Sequence, residues 1–250
     1  MPLPSTLRRP KHEHQCRSAR LMRALLVLPT LNEEAGVQEV LADALQQHET
    51  FDVLVVDGRS EDATVALAEG AGVHVVQQHG RGKGAAIRTA IDVFLAGSWH
   101  ALAMIDADGT YPVEALVEMM PKVDRHPVLV GDRLRGPLEP GSMSRLNFLG
   151  NRFLSAVASV VHRTDAADVC SGCWVIRRDV VEGLRLNSLG FELEAELFAS
   201  LAGMGHPPTW VRIPYRARKG QAKLTSILDG VRILRKLLVR RVVAARKTHL

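Results

Sequence analysis

Cysteine is scarce. There are three in 250 residues: Cys16, Cys170 and Cys173. An odd, low count excludes a disulfide framework and points to a reducing compartment. Cys170 and Cys173 make a C-S-G-C, but a zinc site would need two more ligands at similar spacing. A thioredoxin-type pair would open a helix early in a βαβ unit, which this pair does not. Aromatic residues are only 4% of the chain, which disfavours an all-β sandwich and a base-stacking surface. No apolar run approaches the ~18 residues that span a bilayer. Residues 1–20 are polar and basic, with no apolar h-region, so they do not read as a secretory signal. We read residues 1–22 as a disordered basic arm. Met22 directly precedes the first strand pattern and is the expected start of translation.

What is present is ordinary for a globular chain: 46% hydrophobic and 24% charged residues. That length and composition suit one large domain with appendages and a sizeable core. The formal charge is +5, concentrated in residues 1–23 and after Arg177. Such basic segments meet nucleic acid, anionic lipid or phosphorylated substrates.

From residue 24 apolar runs and amphipathic stretches alternate. The expected strands are 24–29, 51–57, 73–77, 101–106 and 127–131. The expected helices between them are 33–47, 61–70, 83–96 and 113–123. Strands alternating with helices at this spacing give βαβ units and a mainly parallel sheet flanked by helices. Beyond a Gly/Pro-rich loop at 133–141, residues 144–162 predict a helix with Leu146, Leu149, Phe153, Val157 and Val160 on its apolar face. Further strands are expected at 173–178 and 209–215, with a helix at 191–203 between them.

Ligands in open parallel sheets bind beyond the carboxyl ends of the strands. Those ends are polar here: PTLNEE after the first strand, DGRSED after the second, DADGT after the fourth, GDR after the fifth. In DGRSED, Ser60 and Asp62 suit a helix N-cap, while Asp57 at the strand end can accept hydrogen bonds from a base or ribose. GRGKG (80–84) opens a helix, where its backbone N–H groups and Lys83 can meet phosphate. A surface turn explains it equally well, and it is neither of the common nucleotide-loop patterns. In DADGT, two carboxylates one residue apart on an extended segment point the same way. Asp106 and Asp108 therefore suit a hard divalent cation, Mg²⁺ or Mn²⁺, shared with a diphosphate. The competing reading of DADGT alone is a solvated loop with an Asx-turn.

PTLNEE, VVDGRSED, GRGKGAA, DADGTYP, GDR, D-x-C-S-G-C-W-x-x-R-R and GFELEAE follow in one order over roughly residues 24–224. This ordered set resembles the family-two glycosyltransferases of GT-A, Rossmann-like fold, above all the dolichyl- and polyprenyl-phosphate sugar synthases. The resemblance implies that Pro29, Thr30, Glu33 and Asp57 line the nucleotide-sugar pocket, with Lys83 and Asp106 beside them. It makes Asp106 and Asp108 the metal-binding pair. It assigns the acceptor phosphate to Arg133, Arg145, Ser171 and Lys223. It places Arg218 near the donor diphosphate or acceptor phosphate, so that Asp108, Arg133 and Arg218 carry catalysis. Asp168, Ser171 and Gly172 match an acceptor-site D-x-x-S-G, which leaves Cys170 and Cys173 incidental. Glu192 and Glu194 lie two apart on a helix, so only one of them can face the site. Two departures stand out. Ala222-Lys223-Leu224 replaces the usual S-K-L, and Thr110 stands where some members have a third metal ligand.

Residues 226–247 place Ile227, Val231, Leu234, Leu238 and Val242 along one stripe among seven Arg and Lys residues. Such a helix can lie in a lipid interface, and its alternatives are packing on the domain or a dimer contact. The expected organisation is a basic arm (1–22), a GT-A domain (23–224) and a basic amphipathic C-terminal helix (225–250). The expected activity is metal-dependent, inverting transfer of a hexose from GDP-mannose or UDP-glucose to polyprenyl or dolichyl phosphate, at the cytoplasmic face of a membrane. A soluble acceptor, a phosphoglycerate or a glycan hydroxyl, is the alternative. Nucleotidyl transfer fits less well, because PTLNEE replaces a glycine-rich loop after the first strand. A nucleic-acid module is disfavoured by the acid-tipped strand ends, and no nucleic-acid partner is expected.

Overall fold

The computed structural model describes residues 23–220 and 226–247, with side chains of the last helix over 228–241. Seven strands share one sheet: β1 (Ala24–Thr30), β2 (Phe51–Asp57), β3 (His74–Gln77), β4 (Ala101–Met104), β5 (Val128–Asp132), β6 (Trp174–Arg177) and β7 (Thr209–Arg212). Their order is β3-β2-β1-β4-β6-β5-β7. Six strands run one way, and β6 runs against both of its neighbours, β4 and β5. The expected mainly parallel sheet is therefore observed.

The helices are α1 (Glu34–Gln46), α2 (Thr64–Gly70), α3 (Lys83–Ala96), α4 (Val113–Met119), α5 (Arg145–His162), α6 (Arg178–Gly183), α7 (Leu193–Gly203) and α8 (Ser226–Lys247). Strand side chains alternate between two cores, as a pleated sheet requires. In β1, Leu25 and Val27 join one core, while Ala24, Leu26 and Leu28 join the other. The first core takes apolar residues of α3, α5, α6, α7 and α8; the second takes those of α1, α2 and α4. Both faces of the sheet are covered, which is why the central strands are apolar throughout.

Three expectations need correction. The fourth strand stops at Met104, two residues early, and Asp108 sits in a turn. The two acids therefore do not share one extended segment. The face of α5 carrying Leu146, Leu149, Phe153 and Val160 points to solvent, and the buried face is Leu154, Ser155, Ala158 and His162. Small and polar groups sit inward there because they bond into the fold. Ser155 Oγ accepts the Val169 N–H, and His162 Nε2 lies 3.1 Å from the Leu237 carbonyl oxygen of α8. In α8 the buried apolar residues are Ile233 and Leu237, while Val231 and Leu238 are exposed. The side chains of Ile227 and Val242, the N-terminal arm and Lys223 lie outside the described residues.

Candidate active site

Four strand ends converge on one acidic cluster. The loops after β1 and β2 are laced together by short polar side chains. Asn32 Oδ1 accepts the Glu61 N–H, Ser60 Oγ accepts the Asn32 N–H, and Thr64 Oγ1 accepts the Glu33 N–H. Asn32 adopts a left-handed backbone (φ 51°), which its short side chain tolerates. Asp57 is buried at the base of this lacing. One oxygen accepts the Arg59 and Ser60 N–H groups, and the other accepts the Thr30 and Ser60 hydroxyls. Both of its oxygens hold the loop, so Asp57 shapes the expected nucleotide pocket through its neighbours.

Asp106 and Asp108 follow β4. The second aspartate divides its oxygens. Asp108 Oδ1 accepts the Thr110 N–H at 3.0 Å and the Thr110 hydroxyl at 2.6 Å. Oδ2 faces Arg218 Nη1 at 3.1 Å. The Asx-turn reading of DADGT is thus observed on one oxygen, while the other is held by Arg218. Arg218 bridges onward to Glu33 at 3.0 Å. Asp106 pairs with Lys83 Nζ, which also meets Glu194 at 2.6 Å. Four carboxylates and two cations thus form two neighbouring ion-pair triads, Glu33–Arg218–Asp108 and Asp106–Lys83–Glu194. Burial would raise the Asp106 carboxyl, but the Lys83 ammonium outweighs it and holds Asp106 below the usual carboxylate range. Asp108 moves the other way, because burial and the Asp106 charge both push it up. Burial also raises Glu194, and the Lys83 charge only partly offsets it.

Of the two glutamates one turn into α7, Glu194 faces the site. Glu192 instead accepts the Leu189 and Gly190 N–H groups. GRGKG proves to be a packing device. A Cβ on Gly82 would lie 2.0 Å from the Leu189 carbonyl oxygen, and one on Gly84 would lie 2.0 Å from that of Ser188. The glycines let segment 188–190 cross the start of α3, and Lys83 between them projects into the site.

Arg133 is buried, and its Nε and Nη2 grip Asp168 at 2.7 and 2.8 Å. Its guanidinium also stacks 5.1 Å from the Tyr215 ring centroid. Two of its three nitrogens are committed, which leaves Nη1 to meet a ligand. Ser171 is fully buried, and its hydroxyl accepts the Cys173 N–H, so it shapes the loop. Arg145 is exposed at the first turn of α5. Pro29 is half-buried at the end of β1. Burial pushes the Cys170 thiol up to about 12 and Cys173 higher still, so neither is a ready thiolate.

Two residues, Gly36 and Glu196, escape the sequence reading, and Gly172 of the D-x-x-S-G has a role that reading does not give it. Gly36 sits in the first turn of α1, where a Cβ would lie 2.8 Å from the Asp108 backbone carbon. A glycine inside a helix costs about 1 kcal/mol against alanine, and that cost was the available signal. Gly172 leaves room for the Asp106 carboxylate, 2.6 Å from where its Cβ would be. Glu196, fully buried, accepts the Asn187 and Ser188 N–H groups and pairs with Arg240 of α8. Nothing in the local sequence separates it from a surface acid.

Among the described residues no group of three or more His, Cys, Asp or Glu forms a ready metal cage. Two carboxylates of hard oxygen, with room around Asp106, fit a divalent cation that completes its shell with phosphate and water.

The comparisons agree with this geometry. The model of Glycosyl transferase family 2 matches residues 25–185. Glycosyltransferase AglJ of Haloferax volcanii is 35% identical over 209 residues, covering 82% of this chain and 67% of the relative. The dolichyl-phosphate hexose transferase of the same organism is 32% identical over 210 residues, covering 83% of this chain and 89% of that one. The hexosyltransferase Agl6 of that organism is also 32% identical, and the chain spans only about half (52%) of its length. Among solved structures, glucosyl-3-phosphoglycerate synthase of Mycobacterium tuberculosis, in complex with Mn²⁺, UDP and phosphoglyceric acid, superposes with a TM-score of 0.69. It is 19% identical, with 88% of this chain and 78% of that one covered, a likeness of fold. An acid-tipped GT-A sheet, a family match across most of its length and relatives above 30% identity place this chain in glycosyl transferase family 2, as a glycosyltransferase.

Proposed function

We propose that the protein transfers a hexose from a nucleotide sugar to polyprenyl phosphate. The observation that carries this reading is the pair of ion-pair triads, Glu33–Arg218–Asp108 and Asp106–Lys83–Glu194, at the ends of the strands. It puts cations and hard carboxylates together where a diphosphate and a second phosphate would meet. The name of the dolichyl-phosphate hexose transferase supports a lipid phosphate as acceptor.

In this reading the loops after β1 and β2, with Pro29, Thr30 and Glu33, hold the nucleoside. Asp106 and Asp108 would hold Mg²⁺ or Mn²⁺, which when bound acts as a Lewis acid on the departing diphosphate. Lys83 and Arg218 turn from carboxylates to phosphate oxygens, which their charge and donors equally suit. Arg133 keeps its fork on Asp168 and offers Nη1 to the acceptor phosphate. Exposed Arg145 and, from the sequence, Lys223 extend that cationic path. A phosphate oxygen is already anionic near neutral pH. It can attack the anomeric carbon without a general base, forming one C–O bond as the bond to the nucleoside diphosphate breaks. A single displacement inverts the anomeric centre.

The test has two arms. Thermal shift with GDP-mannose, UDP-glucose, GDP and UDP, each with Mn²⁺, Mg²⁺ or chelator, identifies the donor. Product formation from that donor is then compared on a short-chain polyprenyl phosphate and on 3-phosphoglycerate. Transfer to the prenyl phosphate supports the reading; transfer only to phosphoglycerate replaces the lipid acceptor with a soluble one.

A further inference from the structure

Helix α5 turns its apolar stripe outward. Leu146, Leu149, Phe153 and Val160 are 71, 65, 60 and 79% exposed. Their spacing of three, four and seven keeps them on one line of the helix. Helix α8, packed beside α5, exposes Leu228, Val231, Leu238 and Val239. Eight of the fourteen exposed large apolar side chains among the described residues thus belong to two neighbouring helices. A soluble monomer rarely leaves so much apolar surface on two adjacent helices.

The exposed charge along these stripes is mainly positive. Arg145 and Arg152, seven residues apart, follow one margin of the α5 stripe, and Arg163 is exposed at its C-cap. Helix α5 contains no Asp or Glu. The one acid of α8, Asp229, is buried and paired with Arg232. Between α8 and Asn187 lies a cleft of about 460 Å³ lined by Arg232, Arg235, Lys236 and Arg240, with Glu192 the one acid among its lining residues. Lys236 and Arg240 lean on Glu196, and Arg235 has no ion-pair partner among the described residues.

A second copy of this chain would cover the apolar stripes but would set arginines against arginines across a two-fold axis. An anionic bilayer surface satisfies both features at once. Apolar side chains enter the headgroup boundary, and arginines meet lipid phosphate. We propose that α5 and α8 together form an in-plane docking face for a bilayer bearing anionic headgroups, with the α8 cleft taking a headgroup phosphate. This moves the contact from the C-terminal helix alone to a two-helix surface led by α5. It deepens the lipid-acceptor reading and rests on it only for the use made of the membrane.

Flotation of the full chain with vesicles tests the surface without donor or acceptor. Vesicles of phosphatidylcholine mixed with phosphatidylglycerol should bind about tenfold or more tightly than phosphatidylcholine alone, and salt should weaken that binding. Leu149→Asp with Phe153→Asp should cut binding about tenfold or more, with circular dichroism, Tm and turnover of a short-chain prenyl phosphate unchanged. Arg235→Glu should lower binding to the anionic vesicles alone. The proposal is overturned if wild type ignores both vesicles, if the double variant binds like wild type, or if light scattering shows a dimer that the double variant splits. Vesicle binding without transfer would sink the lipid-acceptor reading and leave the docking face standing. Transfer to short-chain phosphate without vesicle binding would do the reverse.

Discussion

At Asp108 one carboxylate serves two masters: Thr110 holds one oxygen and Arg218 the other. Asparagine keeps an oxygen for Thr110 but loses the anionic ligand. Asp108→Asn should therefore keep Tm within a few degrees and lower metal-dependent turnover by about 100-fold or more. Turnover near wild type would remove Asp108 from the metal site. Gly36 makes the complementary case. Gly36→Ala forces a methyl to within 2.8 Å of the Asp108 backbone, so α1 or the turn must move. Overpacking of this kind costs about 1–3 kcal/mol. Here it displaces the turn itself, so turnover should fall further than Tm, as paired melting and rate measurements would show. These two residues mark what the sequence could and could not yield. A D-x-D at a strand end is visible as chemistry, because acids there need a reason. Gly36, Glu196 and the bracing role of Asp57 depend on what lies opposite in space, which no local pattern encodes.

Among the elements, α8 is the one most dependent on polar contacts. Glu196 ties it to segment 187–188, which in turn crosses the start of α3 beside Lys83. Glu196→Ala leaves the buried Ser188 N–H and the part-buried Asn187 N–H unpaired and should cost about 1–3 kcal/mol. Hydrogen exchange should quicken in 185–190 and α8 together; an effect confined to α7 would deny the coupling. His162 adds a pH dependence to the α5–α8 contact. Burial, assisted by the Arg241 charge, holds its imidazole below the usual 6.5, although its bond to the Leu237 carbonyl opposes this. A lowered folded-state value means the unfolded chain binds the proton more readily. Stability from this site is present above pH 6.5 and lost as pH falls from there through the folded-state value. His162→Gln should flatten that part of the Tm–pH curve. Helix and strand periodicity was legible in the sequence because burial imposes it directly. The direction of β6, the short helix α6 and the outward stripe of α5 were not. Periodicity reports that a helix has an apolar face, not what that face meets.

For the molecule as a whole, ligand binding should register as global stability. A nucleotide sugar with its metal, at ~100 times its dissociation constant, adds about 2.7 kcal/mol. For a chain of this size that raises Tm by roughly 5–10 °C. Chelator should abolish most of the shift, and a shift unaffected by chelator would take the cation out of donor binding. The alternation of strands and helices made the sheet readable from end to end, and the polar strand tips showed which edge carries the site. The assembly of that site was not readable in the same way. Lys83, Asp106, Glu194 and Arg218 come from four separate stretches of chain, and only the closed sheet makes them neighbours.

The turn that carries Asp108 also has a history in time. It is pressed by Gly36 from one side, while the Lys219 N–H bonds the Asp108 carbonyl and the Arg216 N–H bonds that of Thr110. Its supports are therefore made more than 180 residues apart. During synthesis, β1 to β4 can pair as soon as they emerge, but the turn waits for residue 219. Contacts this distant form late. The turn at the centre of the proposed site is thus completed late, and a chain released early would have much of the sheet without that turn's supports.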